Sequence, residues 1–182
     1  MDDGTAVIII LYNPSEEDIG NAESVAKTYR GVIVDNSDLP FTKDSKIGRM
    51  HYVCNKANKG IAEAQNIGMR IMLRECVSHL VFFDQDSRFG HDYPSLIANE
   101  FKSIKKDIPN LAMLGPTVKR KDSGEEYRSA IHKDRYASSD FILRRDVISS
   151  GSCISADAIR TVGMNDAVSY THLRAHETCA DL

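Results

Sequence analysis

The chain has 182 residues, 42% of them apolar and 27% charged, with a formal net charge of −3. That composition describes an ordinary globular domain with enough length for a proper hydrophobic core. The slight acidity excludes a protein that holds nucleic acid through a basic field, and no apolar run approaches the roughly 20 residues that span a bilayer.

Ala6–Leu11 is continuously apolar and rich in β-branched residues, the pattern of a strand buried on both faces. Tyr12, Asn13 and Pro14 break it. Ser15 followed by Glu16, Glu17 and Asp18 reads as an N-cap with acids in the first turn, where the helix dipole favours them. The helix is expected to run to about Tyr29, with Ile19, Ala22, Val25, Ala26 and Tyr29 on one face and Gly31 beyond its end. Val32–Val34 is a second strand, closed by Asp35, Asn36, Ser37 and Asp38. Residues 39–48 read as loop, and His51–Cys54 as a third strand.

After a turn at Asn55–Gly60, apolar residues at Ile61, Ala64, Ile67, Gly68, Ile71 and Met72 predict a second helix. His79–Phe83 is the next strand. Pro94 sits at a first-turn position of a third helix carrying Leu96, Ile97, Phe101 and Ile104, and Leu111–Leu114 is another strand. Residues 119–145 are heavily charged and without period, an excursion with one extended piece at Phe141–Leu143. Ser149–Ser152 is a turn, and a short helix capped by Ser155 covers Ala156–Val162 up to Gly163. Alternating strands and helices of this kind predict an α/β sheet with mainly parallel strands, whose ligands sit beyond the strands' carboxyl ends. Tyr12, Asp35 and Asp84 all follow strand ends and are expected to converge there.

Chemistry concentrates at Asp84-Gln85-Asp86-Ser87, two carboxylates two residues apart at the mouth of an apolar strand. Unpaired, they repel and one pKa rises; a hard divalent cation, Mg2+ or Mn2+, removes the conflict. The alternative is a solvated acidic turn. The cysteines Cys54, Cys76, Cys153 and Cys179 are scattered, with no C-x-x-C pair, and suggest neither a zinc site nor a disulfide framework. His51, His79, His91 and His132 form no spaced set, and Lys102–Lys106 reads as a solvated helix face.

Taken together, Tyr12-Asn13-Pro14, Asp35-Asn36-Ser37, Asn58-Lys59-Gly60 with Ala64, Asn66 and Gly68, the acidic pair, and Ser150-Gly151-Ser152 before a short helix and Val162-Gly163 occur in one order. In that order they resemble the nucleotide-sugar half of a family 2 glycosyltransferase. The string Asp84–Ser87 is most similar to the rhamnosyltransferase branch. The resemblance covers about Val7 to Asp166. It implies the GT-A fold, a Rossmann-like three-layer α/β/α arrangement, and an inverting transferase acting on a dTDP- or UDP-sugar, dTDP-rhamnose in that branch.

By the same resemblance Tyr12 packs on the nucleotide base and Asp35 accepts from the base's imide N–H. Asn58 and Gly60 lie beside base and ribose, Asp84 on the ribose and metal side, and Asp86 on the metal itself. Ser150 and Gly151 back the sugar and acceptor region, and Asn66 ties its helix to the strand-end loops. The acceptor implied is a saccharide, free or lipid-linked, with cytoplasmic location, peripheral contact with the membrane's inner face, and no nucleic-acid partner.

The likeness stops at Asp166-Ala167, so one domain is expected over residues 1–167, incomplete on its C-terminal side and without the family's general base. Residues 168–182 resemble a translated sequencing-adapter tail and are expected to be non-native and disordered. The pair His172 and His176 lacks the further ligand and acid of a metalloprotease. Two further readings remain at this stage. One is a haloacid-dehalogenase-type phosphatase, whose first motif Leu80–Asp86 resembles, with the first acid as nucleophile. The other is a nucleotide-binding fragment without turnover.

Overall fold

The computed structural model describes residues 4–117, 119, 123–125, 135–136, 141–143 and 147–166. Its main sheet has seven strands. In chain order the elements are β1 (Thr5–Leu11), α1 (Glu16–Thr28), β2 (Gly31–Asp35), β3 (Lys46–Ile47), β4 (Met50–Cys54), α2 (Ile61–Met72), β5 (His79–Asp84), α3 (Tyr93–Asp107) and β6 (Met113–Leu114). β7 (Arg135–Tyr136), β8 (Ile142–Leu143), β9 (Cys153–Ser155) and α4 (Ala156–Val162) follow. The strand order is β3-β4-β2-β1-β5-β9-β6, and β7 pairs with β8 in a separate antiparallel ribbon.

β4, β2, β1 and β5 are parallel neighbours. β3 and β9 run against them, and β6, antiparallel to β9, returns to the common direction. The mainly parallel α/β sheet expected from the alternation is therefore present. Period-two alternation divides β1 between two cores. Val7, Ile9 and Leu11 face α1 and α3 through Ala22, Val25, Ala26, Ile97 and Phe101, whereas Ala6, Ile8 and Ile10 face α2 and α4 through Ala64, Met69, Met72 and Ile159. The result is three layers.

Element ends follow local chemistry. Ser15 caps α1 in a reciprocal box with Asp18, and Ser155 caps α4 by accepting from the Ala158 N–H at 3.0 Å. The departures from expectation are small and local. The 39–48 loop contains the two-residue edge strand β3, and β6 is shorter than Leu111–Leu114. The three residues of β9, within what reads as turn and helix cap, are too few to show a period. α2 buries Gln65 and Asn66 while Ile61, Ile67 and Ile71 stay half-exposed, because both amides find internal partners described below. The extended piece at Phe141–Leu143 appears as β8. Residues 168–182, with His172, His176 and Cys179, and also His132, lie outside the described residues.

Candidate functional site

The chain passes from β1 to β2 and β4 on one side, then crosses through α2 to β5 on the other side of β1. The strand order thus reverses between β1 and β5, the point beyond whose carboxyl ends open α/β sheets hold their ligands. Tyr12 leaves β1 and Asp84 closes β5 at this point. The two loops touch: the Tyr12 N–H donates to Gln85 Oε1 at 2.7 Å. The Tyr12 side chain is 46% exposed, an aromatic face offered at a strand end.

The acidic loop is a tight turn, with the Ser87 N–H donating to the Asp84 carbonyl at 3.1 Å. Asp84 is half-buried and Asp86 exposed. Helix α1 holds the turn from one side. Asn21 Nδ2 donates to the Ser87 carbonyl at 3.1 Å. The Arg88 guanidinium donates to the Gln85 and Ser87 carbonyls at 3.0 and 3.3 Å, and reaches Glu17 and Asp18 at 3.1 and 3.3 Å. The hydroxyl and N–H of Ser15, assisted by Arg88, hold the Asp18 carboxyl below its ordinary pKa. The same fork on two acids raises Arg88, with Glu17 the larger cause.

The turn at Ser149–Ser152 holds the acidic loop from the other side. The Gly151 N–H donates to the Phe82 carbonyl at 2.7 Å and the Phe82 N–H to the Ser152 carbonyl at 3.0 Å, which fastens the turn on β5. Ser150 Oγ accepts from the Asp84 N–H at 3.4 Å and pairs with the Ser87 hydroxyl. Gly151 has φ +78°, and a Cβ there would meet Pro116 Cγ at 3.2 Å and the Tyr93 hydroxyl at 3.3 Å, so glycine suits both conformation and space. Tyr93 donates to the Gly151 carbonyl at 2.7 Å, and burial, with a smaller contribution from Cys153, pushes its phenol up to about 12.

Asp35 sits lower. Its side chain is fully buried, and both oxygens already accept, one from the Ser37 N–H at 3.0 Å and the other from the Tyr52 hydroxyl at 2.6 Å. Tyr52 in turn accepts from the Phe41 N–H at 3.3 Å and packs edge-on against the Phe41 ring. Burial first, then the bond to Asp35, raises the Tyr52 phenol well above its ordinary range.

Beside Asp35, three asparagines join the ends of β2, β4 and the entry to α2. Asn36 Nδ2 donates to Asn58 Oδ1 at 2.9 Å, and Asn36 Oδ1 accepts from Asn55 Nδ2 at 3.0 Å and the Lys59 N–H at 3.1 Å. Asn58 Oδ1 also accepts from the Gly60 N–H at 3.0 Å. Gly60 precedes α2 with φ +79°. Asn58 therefore has a local structural role, with its side chain exposed at the rim.

Asn66 does tie its helix to a loop. Its amide donates to the Asn165 carbonyl at 2.8 Å and accepts from the Asn165 N–H at 3.0 Å, a reciprocal pair like one rung of a sheet. Gln65 completes the link, donating to Ser149 Oγ at 2.5 Å and accepting from Asn165 Nδ2 at 2.7 Å.

The structure thus gathers Tyr12, Asp84, Asp86, Ser150 and Gly151 near the carboxyl ends of β1 and β5, with Asn58 and Gly60 bonded to the loop after β2 and Asp35 buried at the end of β2. Tyr52, Arg88 and the partners Asn55 and Asn165 carried no spacing signal, and Asn36 and Gln85 were visible only as members of their motif strings. Among the described residues, no group of three or more His, Cys, Asp or Glu side chains converges as a metal cage. Two carboxylates suit only a hard cation that completes its shell with water and ligand oxygens, a common way of holding Mg2+. His51 pairs with Glu75 at 2.5 Å, and His91 with Thr28 at 2.7 Å.

No protein-family model matches the chain. It is similar to the dTDP-rhamnosyl transferase RfbF of Shigella flexneri, with 32% identity over 185 residues that take in 91% of this chain and 58% of that protein. The chain accordingly spans a little over half the length of this curated relative. No helix among the described residues is long and apolar enough to cross a membrane.

Proposed function

We propose that this chain is the donor-binding part of an inverting glycosyltransferase, taking a nucleoside-diphosphate sugar beyond the carboxyl ends of β1 and β5. The observation that carries the reading is the junction of the Tyr12 loop with the Asp84–Ser87 turn, held by Gln85, Arg88 and Ser150 at the point where strand order reverses. The similarity to a dTDP-rhamnosyl transferase supports the same reading and does not favour the phosphatase. In this reading the donor is dTDP-rhamnose, the sugar that the relative's name gives, and the acceptor is a cell-surface saccharide or lipid-linked saccharide.

Each side chain has a task in this reading. The Tyr12 ring offers an apolar face to the base. Asn58 and Gly60 line the base and ribose side. Asp84 and Asp86 would hold a divalent cation, Mg2+ or Mn2+, which when bound would supply neutralisation of the departing charge. Ser150 and Gly151 set the wall behind the sugar. Asp35 reaches a base imide only if the Tyr52 hydroxyl swings aside; otherwise it acts by holding the loop through Ser37 and Tyr52. Peripheral contact with an inner membrane face would follow from a lipid-linked acceptor.

Titration calorimetry with dTDP, UDP and a phosphomonoester, with and without Mn2+, tests the proposal. Metal-dependent binding of dTDP that disappears in Asp86→Ala is the expected result. Unchanged metal-dependent binding in that variant, or burst release of phosphate from the monoester, overturns it.

A further inference from the structure

The opposite edge of the sheet carries a second feature. A cleft of about 380 Å³ lies between α3 and α4, lined by Val77, Ser78 and His79 at the start of β5, Lys102, Lys105 and Lys106 of α3, and Ser155, Asp157 and Arg160 of α4 and its N-cap. β5 runs from this cleft to Asp84, so its six residues separate the cleft from the acidic loop by roughly 17 Å.

Four cationic side chains and one carboxylate line the cleft, a local excess of three positive charges on a chain whose net charge is −3. The carboxylate, Asp157, is already paired with Arg160 at 3.1 Å. Lys102, Lys105 and Lys106 stand at i, i+3 and i+4, on one helical face. Lys105 and Lys106 in the last turn also complement the negative end of the α3 dipole. The α3 dipole does not account for Arg160, which stands in the last turn of α4, or for the concave shape.

The floor adds neutral donors. Ser155 is 4% exposed, and its oxygen accepts from the Ala158 N–H, which leaves its own O–H to donate. Ser78 is exposed beside it. Lysines, an arginine and serine hydroxyls facing one concavity make a donor set for a multiply charged oxyanion, and among the described residues lining it Asp157, engaged by Arg160, is the one carboxylate.

We propose that this cleft binds a phosphate group, bridging α3 and α4, as a site separate from the one at the carboxyl ends of β1 and β5. It needs no metal, because the protein supplies the positive charge. The phosphate is that of a soluble phosphorylated ligand or of a lipid headgroup.

The test is calorimetry of the whole chain with inorganic pyrophosphate in the presence of a chelator, which silences a metal-dependent site. One saturable site is expected, weakened about tenfold or more, equivalent to about 1.4 kcal/mol, in Lys105→Ser/Lys106→Ser and in Arg160→Ser. Mn2+-dependent dTDP binding is expected to persist in these variants, which reads the two sites separately. Flotation with phosphatidylglycerol and phosphatidylcholine vesicles assigns the source. Lysine-dependent capture by the anionic vesicles alone identifies a headgroup phosphate and supports the site. No saturable pyrophosphate binding and no vesicle capture, equal affinity in the variants, or joint loss of dTDP binding overturns it.

Discussion

Tyr52→Phe removes a single oxygen and tests how Asp35 is held. The ring remains, so little volume is lost from the core. What disappears is the 2.6 Å bond to a carboxylate with 0% exposure, together with the acceptor for the Phe41 N–H. A hydrogen bond to a charged group contributes about 1.5–3 kcal/mol, and stranding part of a buried carboxylate costs toward the upper end. With the Ser37 N–H still donating to the other oxygen, a loss of roughly 2–3 kcal/mol is expected. For a domain of this size that is a fall in Tm of roughly 5–10 °C.

The pH profile gives a second readout. The folded pKa of Tyr52 lies above its ordinary value of 10.0, through burial and then Asp35. The stability this contributes is complete below pH 10 and is lost as pH rises through the folded value, so the wild type should weaken above pH 10. Tyr52→Phe should show a shallower alkaline decline. Urea unfolding at pH 7 and pH 10.5 measures both. A loss below about 0.5 kcal/mol at pH 7, the range of a neutral surface substitution, would refute the buried-pair argument.

Three further outcomes follow from the same geometry. Asn66→Ala leaves the N–H and carbonyl of Asn165 without their partner, so amide exchange across 163–166 should accelerate and stability fall by about 1–2 kcal/mol. Gly151→Ala forces a side chain into φ +78° against Pro116 and should cost about 1–2 kcal/mol by denaturant titration. Ser15→Ala removes the cap of α1 and should cost about 1 kcal/mol. Because Asp18 titrates below its ordinary 3.8, the stability from that box is complete above pH 4 and fades as pH falls through the folded value, so the acid limb should flatten in Ser15→Ala.

The elements of this fold were legible because each long one obeys a simple period. β1 and β5 are unbroken apolar runs because both faces are covered, and α1 announces itself through Ser15 and its three acids. β9 was not legible. Its three residues pair antiparallel with both β5 and β6, so its strand character comes from those neighbours and not from its own alternation. The buried face of α2 was read only in part. Ala64, Gly68 and Met72 go in and Ile61, Ile67 and Ile71 pack half-buried on the same core, but Gln65 and Asn66 go in as well because Ser149 and Asn165, 84 to 100 residues away along the chain, satisfy their amides.

The candidate site divides along the same line. Residues that end strands were readable, since a break after an apolar run marks a carboxyl-end position without knowledge of the neighbours. Tyr12 and Asp84 were found this way, and Gln85 Oε1 joins their loops. Depth was not readable. Asp35 ends β2 as Asp84 ends β5, yet Asp35 is fully enclosed by Ser37 and Tyr52, while Asp84 is half-buried and Asp86 just beyond it is exposed. The difference lies in what comes next along each chain segment. After β2 the loop folds back through Phe41 onto Tyr52 and closes over the acid, whereas after β5 the turn is drawn sideways by Arg88 and Ser150 and left open. Acids at two strand ends that look alike in the sequence pattern therefore sit in unlike surroundings. Asp35 is bonded on both oxygens inside its loop, whereas Asp86 is exposed where the proposed cation and diphosphate would meet it. Comparing Asp35→Asn with Asp86→Asn separates the two roles: the first should lower Tm at unchanged metal dependence of dTDP binding, and the second should lower metal dependence at unchanged Tm.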